Sequence, residues 1–101
     1  MRFQCTDEFR GYMNKRKRSV ISVEVARSDH SDFEVTELYV RLVTDAFAVY
    51  LVRKKGYDMY LLEGGGLVLL PPYHLEIDEV VTFSITKHWI FRCLSIDGIR
   101  L

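Results

Sequence analysis

"SVISVEVA", residues 19–26, is the stretch on which the fold turns. Ile21, Val23 and Val25 recur at every second residue with Ser22 and Glu24 between them, the alternation of a strand with one buried face. The same period returns downstream. "VTELYVRLV" (35–43) sets Leu38, Val40 and Leu42 against Glu37, Tyr39 and Arg41, and "FAVYLVRKK" (47–55) reads as a further strand after a break at 44–46. "KKGYD" (54–58) then turns the chain into "YDMYLLEG" (57–64), which predicts a hairpin. "DEVVTFSI" (78–85) turns Val81, Phe83 and Ile85 inward, "WIFRCLSI" (89–96) follows, and Asp97 and Gly98 are expected to turn the chain before a short last strand.

Upstream the pattern is different. "TDEFRGYMNKRKR" (6–18) offers Thr6 as an N-cap, Asp7 and Glu8 where the helix dipole favours anions, and Lys15 to Arg18 where it favours cations. These signals predict one short helix over 7–17, with Phe9 and Met13 as its buried stripe and Tyr12 at the edge. Gly11 weakens the helix in isolation, so it must pack on the strands. One N-terminal helix followed by many short strands gives an α+β domain, a mixed or mostly antiparallel twisted sheet curled into a half-barrel or sandwich.

The totals agree with that reading. A chain of 101 residues forms a single domain, 1–101, and 49% hydrophobic residues supply a core without metal or disulfide. Fourteen basic and fourteen acidic residues cancel, so no global field holds a polyanion, and nucleic acid is not the expected partner. Cys5 and Cys93 form no CxxC and read as reduced thiols, Cys93 as a buried structural one. The sequence shows no signal-peptide-like segment and no run long enough to span a bilayer, so a cytoplasmic location is expected.

Several constellations invite a chemical reading. In "ARSDHSDFEV" (26–35), Asp29, His30 and Asp32 combine imidazole with carboxylates, the donor set of zinc or iron sites. The preferred reading is a polar turn whose side chains bond the backbone, because adjacent donors rarely converge and no second histidine is near in sequence. "GGG" (64–66) would cradle a phosphate only before a helix, whereas "LVLLPPYHLEI" (67–77) is extended; a hairpin turn fits better, and Pro71 and Pro72 mark an edge or crossover. His74 and His88 read as isolated histidines with no hydrolase motif around them. "NKRKR" (14–18), "RKK" (53–55) and the tyrosines 39, 50, 57 and 60 are read as a solvated face before a stacking surface.

The helix opening on "TDEF", the strand leading into a polar loop, "YDMYLLEGGGLVLL", "LEIDEVVTFSI" and "LSIDGIRL" together resemble the HesB-like group of small proteins. That group is related to A-type iron–sulfur carriers and includes short bacterial members with cysteine or selenocysteine. The resemblance spans nearly the whole chain and implies a compact, largely β domain with a helix on one side and metal or cluster handling through thiolates. A-type carriers place one cysteine in the loop after an early strand and a C-x-C pair near the C-terminus. This sequence has "ARSDHSD" and "DGIRL" there, so no ligand carries over and no iron–sulfur cofactor is expected. The resulting expectation is a non-enzymatic domain acting through protein contacts, as a homodimer or with an accessory partner, by way of Tyr39, Tyr57 or the edge at Pro71 and Pro72. The alternatives are a divalent-metal protein using His30 with Asp29 or Asp32, joined by His74 or His88 if the fold brings them close, and weak nucleic-acid binding through the basic clusters.

Overall fold

The computed structural model describes residues 1–29 and 34–101, without the side chains of 28, 29, 34, 35 and 88. In chain order its elements are β1 (Arg2–Cys5), α1 (Asp7–Arg16), β2 (Val20–Asp29), β3 (Glu34–Val43), α2 (Asp45–Lys55), β4 (Asp58–Leu61), β5 (Leu67–Leu70), β6 (Glu76–His88) and β7 (Phe91–Arg100). The class is α+β. The strands form two mixed sheets, one ordered β1-β6-β7 and the other β3-β2-β5-β4. A strand precedes the first helix, and a second helix interrupts the β pattern.

α1 forms for the reasons its sequence suggests. Thr6 accepts a hydrogen bond from the Phe9 amide at 3.2 Å, Asp7 and Glu8 occupy the first turn, and Lys17 ends the helix in the left-handed conformation. Phe9 and Met13 are fully buried and drive into the space between the two sheets, where Phe9 meets Phe83 at 5.8 Å between ring centres. Ile21, Val23, Val40 and Val68 from one sheet and Val81, Phe83 and Ile99 from the other pack around them in this main core. β1 joins the sheets: it pairs in parallel with β6, and beyond β4 Phe3 bridges Leu62, with the Glu63 amide donating to the Phe3 carbonyl at 2.8 Å.

α2 corrects the strand expected over 47–55. Its apolar run, Ala46 to Val52, is continuous and so fits a strand or a helix equally well by periodicity. The ends decide it. Thr44 caps the Phe47 amide at 3.2 Å, Asp45 lies in the first turn, Arg53 to Lys55 in the last, and Gly56 closes the helix at φ 73°. Ala48 and Leu51 then pack on Val20, Val43 and Leu69, a second core on the outer face of the β3-β2-β5-β4 sheet. In consequence β2 is covered on both faces, and Ser22 and Glu24, expected on an open face, are buried.

β7 also departs from expectation. The turn predicted at Asp97 and Gly98 is continuous strand. The register of β6 against β7 jumps from Ile77↔Ile99 to Thr82↔Asp97, a bulge on β6. Gly98 sits opposite it at φ 101°, where a Cβ would lie 2.6 Å from the Val80 carbonyl oxygen. The glycine makes the bulge possible. Cys93, expected to be buried, is exposed, because the face of β7 that packs on the core is the one carrying Leu94 and Ile96, and Cys93 alternates to the opposite face.

Candidate functional site

The "GGG" segment lies between β4 and β5, which pair antiparallel from Asp58↔Leu70 to Leu61↔Leu67. Its carbonyl environment is already used structurally: Arg10 donates to the Gly65 carbonyl at 2.6 Å and to the Glu63 carbonyl at 2.7 Å. The loop ties α1 to the seam between the sheets. Of the prolines beyond β5, Pro71 is buried and Pro72 exposed.

Of the residues expected to bind metal, Asp29 ends β2 opposite Glu34, and its side chain, with all of His30 and Asp32, lies outside the described residues. His74 is exposed. Among the described residues no three histidine, cysteine or acidic side chains gather as a metal site. No helix among them is long and apolar enough to cross a membrane.

Beside α2 the structure assembles a polar cluster. Glu24 is only 6% exposed, yet each of its carboxylate oxygens is engaged. Arg41 takes it bidentately, Nη2 to Oε1 at 2.9 Å and Nε to Oε2 at 2.9 Å, while Ser22 donates to Oε1 at 3.3 Å. The bond from Tyr39 to Glu24, followed by burial, raises the Tyr39 hydroxyl above its ordinary titration point; at Tyr57 burial leads and the Glu24 charge adds. Arg41 also lies over the Phe47 ring at 4.8 Å. The cluster anchors α2's first turn to β3 and holds a charge in place without leaving it unpaired. It also accounts for Tyr39, which is exposed but already bonded through its hydroxyl.

On the other side of Arg41 a basic cleft runs along α1. One half is a cavity of about 340 Å³ lined by Tyr12, Arg16, Arg18, Arg41, Leu42 and Leu94. Tyr12 and Arg16 also line an adjoining cavity of about 370 Å³ with Glu8, Lys15, Ile85 and Arg92. Arg16 is fixed at the junction, donating to the Tyr12 hydroxyl at 3.1 Å with its guanidinium 5.3 Å from the ring centre. Sequence reading caught the "NKRKR" cations but not Arg41 and Arg92, which only the sheet packing brings alongside them.

The β6–β7 hairpin carries the two most exposed apolar side chains of the described residues, Trp89 and Ile90, with Phe91 beside them. Pairing runs to His88↔Phe91, leaving Trp89 and Ile90 as a two-residue turn. Trp89 is 92% exposed, Ile90 89% and Phe91 67%. Trp89 has φ 58°, a conformation that two-residue hairpins ordinarily give to glycine, asparagine or aspartate. Lys87 and Arg92 face each other across the strands just behind. Together the three apolar side chains present roughly 400–500 Å² of surface, the size of the largest patch on an ordinary monomer, which is often a functional one. The "KHW" and "WIF" phrases held this signal in the sequence, as an apolar triplet where turn residues belong.

Compared with family models, with curated proteins and with solved structures, the chain matches none.

Proposed function

We propose that this is a non-enzymatic domain that acts through protein contacts, as a homodimer or with an accessory partner, and that the Trp89-Ile90-Phe91 tip is the contact. The observation that carries the reading is Trp89 itself: a large apolar side chain, almost wholly exposed, held in a left-handed turn position that disfavours it. An outlier of this kind points to a function that outweighs the local cost of about 1–2 kcal/mol. Covering ~400 Å² at ~25 cal/mol/Å² contributes about 10 kcal/mol gross, comparable with the roughly 4–15 kcal/mol that association costs. The tip alone therefore supports a weak or transient contact.

The HesB-like relationship belongs to this proposal and rests on the phrases quoted above. On that reading the thiolate chemistry of the relatives has been lost and the scaffold kept for binding; α2 is a feature the resemblance does not call for. The cytoplasmic location expected from the sequence is part of the same proposal.

Sedimentation velocity over a concentration series, for the wild type and for Trp89→Gly, tests self-association, and a photo-crosslinking residue at position 90 tests for an accessory partner. Self-association that Trp89→Gly abolishes, or one discrete cross-linked partner lost with the same substitution, supports the reading. An association state and cross-link pattern identical in both proteins would end it.

A further inference from the structure

The basic cleft along α1 is separate from the apolar tip, and of the cations lining it Arg41 alone has an acidic partner among the described residues. Helix-end preference explains cations at the end of α1, but not why β3 and β7 add Arg41 and Arg92 to the same groove. Two carboxylates stand nearby, and both are engaged: Glu24 by Arg41 at 2.9 Å, Glu8 by Lys87 at 3.6 Å. Among the described residues Lys15, Arg16, Arg18 and Arg92 have no acidic partner. In a chain whose total charge is zero, such a concentration of one sign is a local feature.

We infer that the cleft is a binding site for a small molecule bearing two or more phosphate groups. Arginine's planar fork suits phosphate oxygens, and here one arginine is already oriented by its stack and hydrogen bond on Tyr12. The two adjoining halves, about 340 and 370 Å³, each fall in the size range of small-ligand pockets. Arg16 stands at their junction, so separate phosphates reach Arg18 on one side and Arg92 on the other. Leu42 and Leu94 give the first half an apolar wall for the organic part of the ligand, the place of a nucleoside base.

The test is calorimetric titration at low salt with ATP and with inorganic tripolyphosphate, on the wild type and on Arg18→Gln, Arg92→Gln and Arg53→Gln. Arg53 lies on α2 away from the cleft and removes the same charge. Far-UV circular dichroism checks that each variant is folded. Saturable binding is expected, weakened about tenfold or more by each cleft substitution, since one charge-assisted contact is lost, and unchanged by Arg53→Gln. Tighter binding of ATP than of tripolyphosphate assigns Leu42 and Leu94 to the base; equal binding assigns the site to the phosphates alone. No saturable binding of either compound overturns the inference. So does equal weakening by Arg53→Gln, or binding of a single-stranded oligonucleotide without either small phosphate.

Discussion

Replacing Arg41 by alanine strands a buried charge, and the cost follows from the geometry around Glu24. The carboxylate is 6% exposed, and after the change its remaining partners are Ser22 at 3.3 Å and the Tyr39 hydroxyl. Removing one member of a fully buried ion pair costs about 3–5 kcal/mol. Arg41, however, has a side chain 46% exposed, so water enters the space it leaves and the charge penalty falls to about 2–3 kcal/mol. Loss of its contact with Phe47 adds roughly 0.5 kcal/mol. A total of about 3 kcal/mol corresponds to a fall in Tm of roughly 10–20 °C for a domain of this size. Glu24→Gln is milder, about 1–2 kcal/mol, because the half-exposed arginine it leaves turns to solvent. The double variant Glu24→Leu with Arg41→Met restores most of the loss, since an apolar pair replaces a buried ionic one at little cost. Urea denaturation should be followed by far-UV circular dichroism, because the single tryptophan is exposed in the native state and reports unfolding poorly. A loss under about 1 kcal/mol for Arg41→Ala, or a larger loss for Glu24→Gln, would refute the reasoning.

Gly98→Ala and Gly66→Ala are each expected to cost about 2–4 kcal/mol, because both need φ above +100° and a Cβ would press to 2.6 Å from the Val80 carbonyl oxygen and 2.7 Å from that of Ser19. Chemical denaturation reads this directly, and wild-type stability in either variant contradicts the bulge and turn assignments. Tyr39 and Tyr57 titrate above their ordinary value, so the folded state holds their protons more tightly than the unfolded state. Their contribution is fully present below the ordinary tyrosine pKa of about 10 and is lost as pH rises through the folded values; a Tyr39→Phe, Tyr57→Phe protein loses less stability over that alkaline range than the wild type. A thiol reagent at neutral pH labels exposed Cys93 first, while burial pushes the Cys5 thiol up and slows its reaction; equal rates would contradict the placement of β1. Trp89→Gly raises stability by about 0.5–1 kcal/mol by relieving the turn while removing the contact, a trade of stability for function.

Legibility followed the physics of each segment. α1 was readable because cap, dipole charges and a two-residue apolar stripe all agree at Thr6, Asp7, Phe9 and Met13. β2, β3 and the hairpin around the three glycines were readable for the same reason, each with an alternation or a turn signal confirmed by pairing. α2 was not, because seven apolar residues in a row hide the period, and Thr44, Asp45 and Gly56 carried the deciding information. Gly98 reads locally as a turn; that it serves a bulge depends on Val80, far away in sequence. Cys93 shares parity with Phe91, but the inward face of β7 proves to be that of Leu94 and Ile96, and the local sequence does not say which of the two apolar sets faces the core. The candidate sites divide likewise. Arg16 and Arg18 were visible as a basic cluster, whereas Arg41 and Arg92 join them only through sheet packing, and the tip's meaning lay in the backbone at Trp89.

Trp89, as the single tryptophan, makes the tip its own reporter. Its emission, recorded from high dilution to high concentration and on addition of a cross-linked partner once purified, tests the central claim most directly. The account predicts the spectrum of a water-exposed indole in the dilute protein and a blue shift, with reduced quenching by iodide, as the contact forms. Emission already blue-shifted in the dilute monomer, or unchanged water-like emission in every associated state, would contradict it.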